Sequence, residues 1–410
     1  MGGFRIIHRV GVGIGPKLAQ IFTLLIVFVI LPSPALQHLI SIDIKEAFPL
    51  AILSVMMYLM FNNACLSQRI ILLAMLLLII SAFASILSNS TSQLLMGLAL
   101  FLMILISKMV ETFLITSNSI NIAYYFTVIL LVGAWIGFFY ALLGGAPLVC
   151  VDNPDGRQSC LFLATLSNSA NIDFLRIIRP AGVFDEPGAL SFFTILVVCL
   201  NELGGGGKKK SITLLLLGII TLSLTHIVCI ITYCFIIFRK KTVYLVLVFG
   251  FLLGYAQIYS PDDSLLYSSF FSRFVITDEG LKGDNRSNQV KEFFSLIDSN
   301  TSRYGDNVLI KERGGVSQSE AQTANPFSIW FAYGFIMWIP YAITLLFLIV
   351  HFFNQIPSVK ITSILLFFLL LQRPYIYSMY WGLAIWFVIA SMIRKKYVGS
   401  PLKLNLLKRG

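Results

Sequence analysis

"KKKSITLLLLGIITLSLTHIVCIITYCFIIFRKK", residues 208–241, sets an apolar run from Ser211 to Phe238 between two basic clusters. A helix crosses a bilayer in about 20 apolar residues, so this run is either one long tilted helix or two short ones. A single crossing would strand one lysine cluster outside, against the bias that keeps lysine and arginine on the cytoplasmic side. A tight hairpin at "SLTH", Ser223 to His226, keeps both clusters inside. We read the run as two spans, 211–223 and 225–238.

The rest of the chain fits that reading. Of its 410 residues 57% are hydrophobic and 12% charged, with a mean hydropathy of +0.85. A soluble domain carries about twice that charge. The expected fold is an all-α polytopic membrane protein, a single integral membrane domain over 1–410. Twelve transmembrane helices are expected at 18–36, 48–64, 69–87, 93–108, 122–143, 188–203, 211–223, 225–238, 242–259, 327–350, 361–373 and 376–393. The net charge of +11 sits in short clusters between apolar runs, which topology explains and nucleic-acid binding does not. Both termini fall on the cytoplasmic side. "MGGFRIIHRVGVGIGPK" has no small-residue cleavage site after an apolar core, so the first span is expected to be retained. "GGGG" at 204–207 reads as a flexible connector, and the lysines after it face lipid headgroups.

Two hydrophilic segments then lie outside, at about 144–187 and 260–326. Loops of such length in a compact protein are usually functional. Cys150 and Cys160 bracket "VDNPDGRQS", where "NPDG" suits a type I turn. Outside the cytoplasm they could form a disulfide; the alternative is two free thiols. Arginine recurs in both segments, as Arg157, Arg176 and Arg179 in the first and Arg273, Arg286, Arg303 and Arg313 in the second. Topological bias makes arginine scarce on that face. Its planar fork of donors matches phosphate oxygens, so the set points to an anionic, phosphorylated ligand. Taken singly, any one of them could instead pair with Asp278, Glu279, Asp284 or Glu292.

"RIIRPAGVFDEPGALSFF", residues 176–193, concentrates this chemistry at a helix entrance. Pro187 suits a first helical turn, which places Glu186 at the cap, where the dipole favours a carboxylate. Glu186 can therefore be a helix cap, a substrate-binding carboxylate or a general base. A dipole and a nearby arginine both weaken a base, so these readings compete. Arg373 in "LQRPYIY" lands at another outer span end, where it either snorkels or joins the loop arginines over one cavity.

Other chemistries find no support in the sequence. It contains no P-loop, no HExxH and no G-x-S-x-G, and neither the cysteines nor the histidines show metal-ligand spacing. His8, His38, His226 and His351 stand far apart at span ends, and His226 reads as a plain turn residue at the hairpin tip. No metal or cofactor is expected.

The mid-chain "RPAGVFDEPGALSFF", the second outer segment with "GDNRSN" and "YGDN", then "NPFSIWFAYGFIMWIPY" and "RPYIYSMYWG" together resemble the O-antigen polymerase (Wzy) family, within the wider ligase and polymerase superfamily. The resemblance runs from about 144 to 385; the first spans match in hydropathy alone. It implies an inverting, metal-independent glycosyltransferase of the GT-C type, with two long periplasmic loops, in the bacterial inner membrane. Such an enzyme moves a glycan from an undecaprenyl-diphosphate carrier onto a lipid-linked repeat unit during lipopolysaccharide biosynthesis. A chain-length regulator and a flippase are the implied partners, beside membrane lipids. Glu186, Arg179 and Arg176 become the implied catalytic residues. Arg273, Arg286, Arg303, Arg373 and Asp185 become diphosphate or glycan ligands, with Asp185 the second candidate base. Arg303 and Gly314 stand at a spacing typical of the family's loops, whereas neither Arg176 nor Arg179 reaches a glycine in that way.

Two rival classes remain open. An O-antigen ligase shares the implied architecture but uses a histidine in its second outer loop, and none occurs between His226 and His351. A lipid-linked oligosaccharide flippase or other transporter would place charge within its spans and repeat its halves, whereas charge here gathers in two unequal loops.

Overall fold

The computed structural model describes residues 21–33, 36–37, 48–49, 51–52, 68–88, 91–114, 117–152, 158–168, 178–238, 250, 276–277, 280–281, 294, 305, 325–353 and 356–398. Eleven helices are numbered here among them. They are α1 (Ile21–Ile30), α2 (Gln68–Ser88), α3 (Thr91–Leu114), α4 (Ser117–Leu142), α5 (Pro187–Gly204), α6 (Lys208–Leu217), α7 (Leu224–Phe238), α8 (Ser328–Tyr333), α9 (Phe335–Phe352), α10 (Pro357–Gln372) and α11 (Gly382–Val398). Three are long and apolar enough to cross a membrane, over Asn118–Leu142, Pro187–Gly204 and Phe335–Phe352, and five shorter apolar helices accompany them. A helix falls in each expected range except 48–64 and 242–259, which lie largely outside the described residues.

The outer faces mark a helical membrane protein. On α2 the exposed residues include Leu72, Leu76, Ile79, Phe83 and Ile86; on α4 they include Tyr125, Ile129, Val132, Ile136 and Phe139. Spacings of three and four put each set on one helix face, and that face is apolar where a soluble protein would be charged. By contrast α5 is 83% buried inside the protein, against 33% for the other two long helices, and it forms the centre. Around it pack α4, α6, α7, α10 and α11.

The apolar run is two helices rather than one, with the break displaced from Ser223–His226. Helix α6 tightens into a 3-10 turn, Gly218–Thr221, and Leu222 takes a left-handed conformation (φ 49°) that ends it before α7 begins. His226 lies inside α7 and is fully buried, which corrects its reading as a turn residue. Its Nε2 lies 2.9 Å from the Leu215 carbonyl and its Nδ1 3.1 Å from Ser191 Oγ, so it ties α6 and α7 to α5. These two bonds satisfy a polar ring where no water reaches it.

Three further expectations are corrected. The chain is not purely helical: residues 149–182 carry a four-stranded antiparallel sheet, β1 (Val149–Asp152), β2 (Gln158–Phe162), β3 (Thr165–Asn168) and β4 (Pro180–Gly182), in that order. It packs on α4, where Gly133 and Gly137 make room: a Cβ at Gly137 would come within 2.3 Å of Thr165. The segment 144–187 is therefore more than a loop. Cys150 and Cys160 face each other across β1 and β2 and form a disulfide. The span 327–350 is broken at Gly334 (φ 84°), which separates α8 from α9. From the segment 260–326 the described pieces are few: a short hairpin, β5 (Ile276–Thr277) with β6 (Gly280–Leu281), and single residues such as Gly305. Gly305 abuts the backbone at that break, where a Cβ would meet Gly334 N at 2.5 Å.

Candidate functional site

The sheet aims the chain into α5. Thr165 Oγ1 accepts the Gly182 N–H at 2.8 Å, and Ser167 Oγ donates to the Arg179 carbonyl at 3.1 Å, so β4 is held at both ends. Ser33, in the turn after α1, donates to the Val183 carbonyl. Phe184 is fully buried, its ring 5.3 Å from Phe193 and 5.6 Å from Trp381. With the chain fixed on both sides, Asp185 and Glu186 reach the N-terminus of α5.

Glu186 occupies the cap position in an extended conformation (φ −149°, ψ 155°), with Pro187 as the first helical residue. Its side chain makes no capping bond. It pairs with Arg373 instead. Arg373 ends α10 because Pro374 follows it, and a residue before proline is driven out of the helical region. Its extended backbone (φ −143°) delivers the side chain to the first turn of α5. There the guanidinium lies over Gly188, where a Cβ would stand 2.7 Å from Nη2. No other residue type fits without moving that cation.

The pair is asymmetric. The Arg373 side chain is 8% exposed and that of Glu186 26%. Arg373 Nη1 also donates to Tyr375 Oη at 2.6 Å, and the guanidinium sits 5.5 Å from the Tyr375 ring centre. Burial opposes the charge of Arg373, but Tyr375 and Glu186 more than offset this and hold it above its ordinary range. Burial pushes the Tyr375 phenol up, with Arg373 pulling the other way, so the hydroxyl keeps its proton. Beneath the cation Tyr375 stacks on Trp381 at 6.3 Å, and Phe192 lies 5.6 Å and 5.0 Å from these two rings. The floor is apolar, which strengthens electrostatics above it. One donor of this cation, Arg373 Nε, is buried and has no hydrogen-bond partner among the described residues.

Of the residues singled out in the sequence, the structure thus brings together Glu186 and Arg373, with Asp185 adjacent and Arg179 immediately before β4. Arg157, Arg176, Arg273, Arg286, Arg303 and Arg313 lie outside the described residues. Sequence reasoning passed over Ser33, Gly188 and Tyr375. The one available signal was Tyr375, two residues after Arg373 in "RPYIY". Comparison with models of known protein families, with curated proteins and with solved structures finds no match to this chain.

Proposed function

We propose that the protein is a membrane polysaccharide polymerase of the O-antigen type, which transfers a glycan from a polyprenyl-diphosphate carrier to the sugar of a second lipid-linked unit with inversion. The observation that carries this reading is the buried Arg373 guanidinium, paired with Glu186 at the N-terminus of a central apolar helix. Breaking a sugar–diphosphate bond builds negative charge on phosphate oxygens, and a preorganised cation at a helix N-terminus stabilises it. The leaving group is good, so no general acid is demanded. The attacking hydroxyl profits from a base, for which Glu186 is the candidate and Asp185 the second.

In this reading Arg179 and Arg176 share the catalytic work with Arg373, while Arg273, Arg286 and Arg303 bind diphosphate or glycan from the second outer segment. Twelve spans of GT-C type, periplasmic exposure of the Glu186 end and residence in the bacterial inner membrane belong to the same proposal. Undecaprenyl-diphosphate-linked oligosaccharide is the substrate. The test is deletion of the gene in a host that makes long O-chains. A polymerase mutant leaves lipid A–core with a single repeat, whereas a ligase mutant leaves bare core and lipid-linked polymer. Unchanged long chains would refute the proposal.

A further inference from the structure

We propose that Glu186 is a displaceable counter-ion. It holds the Arg373 guanidinium until a diphosphate takes its place, and the exchange frees the carboxylate to act as base. The inference rests on the diphosphate reading above and adds how the site is switched on.

Four observations lead here. The guanidinium is the more buried partner and the carboxylate paired with it the more exposed. Nη1 is engaged by Glu186 and Tyr375, while Nε is buried with no hydrogen-bond partner among the described residues. Gly188 leaves Nη2 against the first turn of α5, whose dipole favours an anion. Glu186 occupies the cap position, and its side chain is turned to Arg373 rather than to a capping bond.

Arginine receives a phosphate through two parallel N–H bonds. The carboxylate now holds one edge of the fork, and a diphosphate carries more negative charge with more acceptor oxygens. The two anions therefore compete for one cation.

The exchange resolves a conflict visible in the sequence. A carboxylate engaged by a guanidinium is a poor base, because its lone pairs are already used. Once the diphosphate holds Arg373, the released carboxylate can accept a proton. The acceptor hydroxyl oxygen then bonds to the anomeric carbon and its proton passes to Glu186. The anomeric carbon–oxygen bond to the diphosphate breaks, and that electron pair leaves with the diphosphate on Arg373.

Binding of sodium pyrophosphate by the purified full-length protein, in discs of uncharged phosphatidylcholine, tests the exchange. Glu186→Gln should bind about tenfold tighter than the wild type, and the gain should vanish in Glu186→Gln/Arg373→Gln. Equal binding by wild type and Glu186→Gln would overturn the exchange and leave the diphosphate reading standing. A gain that survives in the double variant would overturn the role of Arg373. Absence of binding to Glu186→Gln would sink the exchange and remove Arg373 from the proposed function as well. If Glu186→Gln fails to fold, Glu186→Asp keeps the charge on a shorter arm and should bind about threefold tighter. Equal or weaker binding by Glu186→Asp overturns the proposal.

Discussion

At the C-terminal end of α5, Glu202 Oε1 accepts hydrogen bonds from Ser211 Oγ at 2.5 Å and Tyr233 Oη at 2.7 Å. Asn201 Nδ2 bonds Ser211 Oγ and the Gly207 carbonyl, and Lys395 Nζ bonds the Leu203 carbonyl at 2.6 Å. At the N-terminal end, Glu186 pairs with the Arg373 guanidinium, whose Nε has no hydrogen-bond partner among the described residues. Both glutamates flank the same buried helix. One is bound by short neutral donors from two neighbouring helices, an arrangement that fixes α5, α6 and α7 in place. The other pairs with the Arg373 guanidinium, which a second anion can claim. Each end leaves a buried polar atom without a hydrogen-bond partner among the described residues, Asn201 Oδ1 at one and Arg373 Nε at the other. It is therefore the charge of the Arg373 donor that marks the N-terminal end as the one expected to meet an anion.

Substitutions can break that contrast. Arg373→Gln keeps a polar side chain but removes the charge, and should lower chain extension at least about a hundredfold in a complemented deletion host. Gly188→Ala adds one methyl 2.7 Å from Arg373 Nη2 and should move the guanidinium. Extension should then fall about tenfold with unchanged protein level on an immunoblot. Ser33→Ala loses the tether to the Val183 carbonyl, worth about 1 kcal/mol, and should slow extension about threefold. At the opposite end Tyr233→Phe removes a donor to Glu202. It should cost about 1–3 kcal/mol of stability in thermal unfolding and leave the extension per folded molecule unchanged. A loss of extension there, with the fold intact, would erase the distinction between the ends.

Much of this frame was legible in the sequence because it follows from local constraints. Lysine clusters flanking one apolar run implied its division into α6 and α7, and Pro187 implied the start of α5. Arg373 stood out because it opposed the topological bias of its neighbours. Its pairing with Glu186 was not readable, since the two lie on different helices and no spacing rule links them. His226 was misjudged for the same reason: its burial is made tolerable by Ser191 and Leu215, which belong to other elements. The sheet over 149–182 escaped notice because its strands are short and one face rests on α4, so no long alternation marks them.

The most direct test makes the same substitution at both ends of α5, with Glu186→Gln and Glu202→Gln expressed at matched levels in the deletion host. The readout is the length distribution of O-chains on lipopolysaccharide gels. The account predicts a single repeat from Glu186→Gln and a full ladder from Glu202→Gln. A wild-type ladder from Glu186→Gln would contradict it.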